Sequence, residues 1–99
     1  MIRHVVMWRL KDEPAGSRAA NARTVKAALE PLRGRIPGLR DLQVGINGVP
    51  GEVAADVVLI SDHDDMAALD AYRTHPAHLA AAKIVAALVT ERRSVDFEA

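Results

Sequence analysis

Cysteine is absent from the chain. That removes disulfides, a thiol nucleophile and any zinc site built on thiolates. Aromatic side chains are nearly absent too, with Trp8, Tyr72 and Phe97 the whole supply. An RNA-binding module of β-α-β-β-α-β order needs stacking aromatics on its central strands. The third predicted strand has none between Val57 and Ile60, so that class is set aside. Excess charge of either sign is missing, because 13 basic and 13 acidic residues cancel. No general attraction to nucleic acid or to an anionic membrane follows. The apolar start, Met1 to Arg9, is too short for a signal peptide or a membrane span. A cytoplasmic protein is the resulting expectation.

What is present fits one small globular domain spanning residues 1–99. The chain is 49% hydrophobic and 26% charged, which argues against disorder. Ile2 to Leu10 is predicted as a strand, with Ile2, His4, Val6, Trp8 and Leu10 on one face and Arg3, Val5, Met7 and Arg9 on the other. After a polar turn, Ser17 can cap a helix running to Arg35. Its stripe is Ala22, Val25, Leu29, Leu32 and Ile36. Pro31 should kink that helix or end it early. Pro37-Gly38 is the definite stop.

Leu39 to Asn47 alternates as a half-exposed strand, in which Gly45 suggests a bulge or a close backbone approach. Ala55 to Ser61 is the third strand. Ser61 or Asp62 opens a helix covering Asp64 to Tyr72, which leaves His63 as a surface residue among acids. Pro76 to Val89 is an alanine-rich helix, and Glu91 to Glu98 the last strand. The order β-α-β-β-α-(α)-β, with helices on one face of the sheet, is an α+β sandwich of ferredoxin-like type. Strands one and three are apolar on both faces: Val5 and Met7 oppose Val6 and Trp8, and Val58 and Ile60 oppose Val57 and Leu59. A two-layer sandwich leaves one sheet face wet. The second face therefore needs a cover, and the sheet of a second copy is the simplest one. A homodimer is expected. The pair Arg92-Arg93 is most simply a solvated face.

The stretch Tyr72-Arg73-Thr74-His75-Pro76-Ala77-His78 concentrates three titratable rings in seven residues. Proline suits the first position of a helix, and the residue before it is pushed out of the α region. His75 thus falls at the N-cap and His78 in the first turn. His78 shares a helix face with Ala81, Val85 and Leu88, so it points toward the sheet. Burial and the positive end of the helix dipole both favour the neutral imidazole, which can serve as a general base. From spacing alone a structural role ranks first: a buried imidazole bonded to a backbone carbonyl, holding the helix break together. Tyr72 has a similar pair of roles, core filler or electrophile toward a carbonyl. His4 and Trp8 share the inner strand face, and Asp96 could orient an imidazole. These three are the candidate substrate-binding residues, although an exposed strand position is the simpler account of Asp96. His75 and His78 at i,i+3 could share a metal, but His75 should point elsewhere, and no metal is expected.

The segments MIRHVVMWRLKDE, IPGLRDLQVGIN and YRTHPAH occur in that order. With them the chain resembles the stress-responsive dimeric α/β-barrel (Dabb) family over essentially its whole length. The resemblance implies a homodimer whose two sheets close a barrel, with no cofactor. One plant branch of the family is a polyketide cyclase working by aldol condensation. In that branch the residues matching His78 and Tyr72 are the catalytic pair. The chain departs from the branch in its three aromatics, too few for a wide aromatic pocket. The resemblance implies a small-molecule ligand, with a cofactor-independent cyclase or isomerase as the leading expectation. A non-catalytic stress-response or ligand-binding dimer and a cofactor-independent monooxygenase are the alternatives.

Overall fold

The structure, a computed structural model, describes residues 1–99. Four antiparallel strands form one sheet: β1 (Ile2–Leu10), β2 (Leu39–Ile46), β3 (Val57–His63) and β4 (Val89–Glu98). Their order across the sheet is β2-β3-β1-β4, so the first strand is central. Three helices pack on one side: α1 (Arg18–Leu29), α2 (Met66–Thr74) and α3 (Pro76–Ala86). This is the ferredoxin-like α+β sandwich the sequence order predicts.

The apolar stripe of α1 is buried as the spacing requires. Ala22, Val25, Leu29, Leu32 and Ile36 all belong to the core, and burying each larger aliphatic side chain contributes roughly 1.5–3 kcal/mol. Pro31 ends the α-helix early, because it has no N–H to continue the ladder. The chain tightens into a 3-10 turn, Glu30–Leu32, instead of continuing helical to Arg35. Ser17 does stand at the N-cap position, but its side chain caps nothing. Asp12 Oδ1 accepts from the backbone N–H groups of Gly16 and Arg18 at 3.1 and 3.0 Å and does that work.

Gly38 has φ +82 and lies under α2, where a Cβ would come within 2.7 Å of Ala68 Cβ. Only glycine satisfies both the left-handed backbone and the close approach. Gly45 marks a close approach as well, since an added Cβ there would sit 3.1 Å from Val58 Cγ1. The bulge in β2 lies elsewhere, between Leu39 and Asp41.

The largest departure from the sequence expectation is at the end of β3. The strand continues through Ser61 and Asp62 to His63, with strict in–out alternation to its last residue. The helix opens at Asp65 instead, whose Oδ1 accepts from Ala68 N–H at 2.8 Å. His63 is therefore not a surface residue but fully buried. The expectation failed because the Asp-rich run offers several N-caps, and cross-strand pairing decides among them. Asp62 lies opposite Arg3 on β1 and accepts from its guanidinium at 2.8 and 3.2 Å. That pair keeps Asp62 in the strand and turns His63 inward.

The sheet has two unlike faces. Ile2, Val6, Trp8, Leu10, Val44, Val57 and Leu59 face the helices and are buried. Val5, Met7, Val58, Ile60, Val95 and Phe97 register side by side on the other face, which carries no helix. Met7, Val95 and Phe97 there are 44%, 55% and 44% exposed.

Candidate functional site

The break between α2 and α3 forms as its sequence dictates. His75 has φ −63 and ψ 134, an extended N-cap, and its Nδ1 accepts from Ala77 N–H at 3.1 Å. Pro76 takes the first helical position. His78 then sits one turn in and faces the sheet. Its Nδ1 lies 3.1 Å from the Arg73 carbonyl. A carbonyl can only accept, so Nδ1 carries the hydrogen and the neutral ring keeps its lone pair on Nε2. Burial lowers the His78 pKa most. The Arg73 carbonyl opposes that shift, and the charges of His4, Arg92 and Arg73 add to it.

A cavity of 410 Å³ opens between the sheet and α3. Val6, Trp8, Leu29, Leu59 and Val85 give it apolar walls, and His4, His78 and Arg92 supply its polar groups. A largely apolar cavity with a few convergent polar groups is the usual form of a small-molecule site.

His4 reaches the cavity from β1. Its Nδ1 is hydrogen-bonded to Asp96 Oδ1 on the neighbouring strand β4. Asp96 Oδ2 accepts from the Arg73 guanidinium at 2.8 Å. Burial works against the Asp96 carboxylate, but the bonds and charges of His4 and Arg73 outweigh it and hold the pKa below the usual carboxylate range. Arg73 thus ties both imidazoles, His4 through Asp96 and His78 through its own carbonyl.

Behind His78 lies a cluster of buried, mutually tilted rings. The Tyr72 ring centroid is 4.4 Å from that of His78 and 4.8 Å from that of His63. His63 Nε2 pairs with Ser61 Oγ at 2.9 Å, while His63 Nδ1 and the Tyr72 hydroxyl have no partner. Desolvation pushes His63 down to about 4 and Tyr72 up to about 12. Both rings are neutral at pH 7.

Of the five residues singled out from sequence, His78, His4 and Trp8 line the cavity. Asp96 stands behind His4, as a carboxylate orienting an imidazole. Tyr72 packs against His78 with its hydroxyl buried. Sequence reasoning missed His63 and Arg92. The alternation running on through Ser61-Asp62-His63 could have found the first. The second follows from strand register, because Arg92 lies opposite Trp8 on the inner face while Arg93 lies opposite Met7 on the outer one.

The chain matches the stress responsive A/B barrel domain over residues 2–99. A dimeric ferredoxin-like protein of unknown function from Bacteroides fragilis is 35% identical, with a TM-score of 0.87 over 98% of this chain and 94% of that one. A second dimeric ferredoxin-like protein of unknown function, from Thermobifida fusca, is 29% identical, with a TM-score of 0.83 over 97% and 88%. The hydroxynitrile lyase of Passiflora edulis has a TM-score of 0.79 over 97% and 90%. At 16% identity that likeness is one of fold alone. No curated protein matches the chain.

Proposed function

The chain belongs to the stress responsive A/B barrel domain family, and from that premise we propose a homodimer with a small-molecule site in each subunit and His78 as a cofactor-independent general base. The observation that carries the chemistry is the state of His78. One ring nitrogen is fixed on the Arg73 carbonyl, and the other is left to an apolar cavity. The dimer rests on the bare apolar sheet face and on relatives, 35% and 29% identical, that are dimeric. Two sheets meeting there would bury more than ~1,000 Å².

The substrate class is a small carbonyl compound with an acidic α-hydrogen, polyketide-like in that respect. His78 Nε2 takes the α-proton, and the electron pair moves onto the carbonyl oxygen. His4, held at Nδ1 by Asp96, is the hydrogen-bond donor to that oxygen, where charge develops only as reaction proceeds. The enolate carbon then attacks a second carbonyl of the same substrate, whose π pair moves to its oxygen and takes the proton from His78, as in a cyclase; or His78 returns the proton at another carbon, as in an isomerase. A second assignment gives the electrophilic role to Tyr72. The observation favouring it is the Tyr72 hydroxyl, a buried donor with nothing in the protein to donate to, on a ring that touches His78.

The test is exchange of α-protons in D₂O, followed by NMR over a panel of small ketones and β-dicarbonyl compounds. Wild type should exchange its substrate about 10²–10⁴-fold faster than His78→Ala. Equal rates would overturn the base assignment. Exchange lost in His4→Gln and kept in Tyr72→Phe supports the first donor, and the reverse supports the second. No exchange with any carbonyl would leave a non-catalytic binding dimer.

A further inference from the structure

Arg92 is the one fixed positive charge in the cavity wall, and no carboxylate lines that wall. Its guanidinium makes no ion pair. The contact it does make is long, from Nη1 to Ser94 Oγ at 3.4 Å. Its neighbour behaves differently. Arg93 points to the opposite sheet face and lies 3.9 Å from Glu91 Oε1. The two arginines therefore do unlike things, and only one of them faces the ligand space.

An unpaired guanidinium beside apolar walls is complementary to a monoanion with an apolar body. Its planar fork matches a carboxylate. A phosphate monoester carries roughly two negative charges at pH 7, and a single guanidinium leaves the second uncompensated. We infer that the cavity takes small apolar monocarboxylates, with the carboxylate at Arg92 and the hydrocarbon body against Val6, Trp8, Leu59 and Val85. This rests on the cavity being the ligand site, and it narrows the substrate class to compounds that carry a carboxylate as well as a reactive carbonyl.

The probes are octanoate and octanamide, which match in length and differ in charge, titrated calorimetrically into the full-length protein. His78 imidazole resonances are followed in parallel. Octanoate should bind at least about tenfold more tightly than octanamide, the scale of one charge-assisted hydrogen bond. Arg92→Gln should erase that preference and leave octanamide binding unchanged. Arg93→Gln, on the other face, should keep the preference. Equal affinities in wild type, or a preference that survives Arg92→Gln, would overturn the inference while leaving the cavity as a ligand site. If neither probe binds at millimolar concentration and His78 does not shift, the cavity assignment falls, and this inference with it.

Discussion

The two faces of the sheet are built from the same strands and solve opposite problems. The inner face is covered by helices except along β4, yet it holds His4, Ser61 and His63 among its buried residues. The outer face is bare, yet its centre is almost wholly apolar, from Val5 and Met7 through Val58 and Ile60 to Val95 and Phe97. Polar groups are placed where burial perturbs them, and apolar groups where nothing in the chain covers them. Neither choice helps an isolated monomer. Perturbed titratable groups in a cavity mark a functional site, and an exposed apolar patch marks an interface. On the proposed reading, one face serves a ligand site and the other serves assembly.

A charge introduced on each face should break that contrast in different ways. Val57→Asp places a carboxylate in the inner core, where Val57 is 1% exposed. We expect a loss of about 4 kcal/mol or more in a urea melt. Val58→Asp, its neighbour on the outer face, should leave a folded subunit and weaken dimer assembly by about 2 kcal/mol or more, read by sedimentation. Unchanged assembly in Val58→Asp would mean that the outer face is not an interface. A monomeric mass for wild type at low micromolar concentration would contradict the dimer outright.

The buried polar rings should make the inner face sensitive to acid. His63 titrates at about 4 in the folded chain, against an ordinary value near 6.5 unfolded. The unfolded state alone takes up the proton between those values, so stability is full above about 6.5 and falls as pH drops toward 4. The expected loss is roughly 3 kcal/mol by pH 4. A His63→Phe variant should lose that part of the slope, and an unchanged slope would show that His63 is solvated. His78, also lowered, should contribute in the same direction.

Smaller effects separate the histidines of the helix break. His75→Ala removes a cap bond and should cost under ~1 kcal/mol. His78→Ala removes a ring packed on Tyr72 and should cost on the order of 1–3 kcal/mol. Smallest of all, Tyr72→Phe removes a hydroxyl that bonds nothing and should be neutral or stabilising by up to about 1 kcal/mol. A loss above that would reveal a partner for the hydroxyl.

Much of this was legible in the sequence. Periodicity gave the α1 stripe, alternation gave the two-sided strands, and the His-Pro pair gave the helix break with His78 facing inward. What was not legible depended on neighbours distant in the chain. Asp62 stays in β3 because Arg3 is opposite, and that single pairing moves His63 from surface to core. Asp96 is the exposed strand residue that the sequence suggests, and only the register of β4 against β1 shows that it also reaches His4. Arg92 and Arg93 are one residue apart in sequence and on opposite sides of the molecule in space.

The most direct test of the central claim is the tautomer of His78. ¹⁵N-edited NMR of the imidazole at pH 6.5, with His78→Ala to assign the signal, should show a protonated Nδ1 and an unprotonated Nε2 that shifts when octanoate is added. A protonated Nε2, or a ring indifferent to every ligand, would contradict His78 as a base held ready in the cavity.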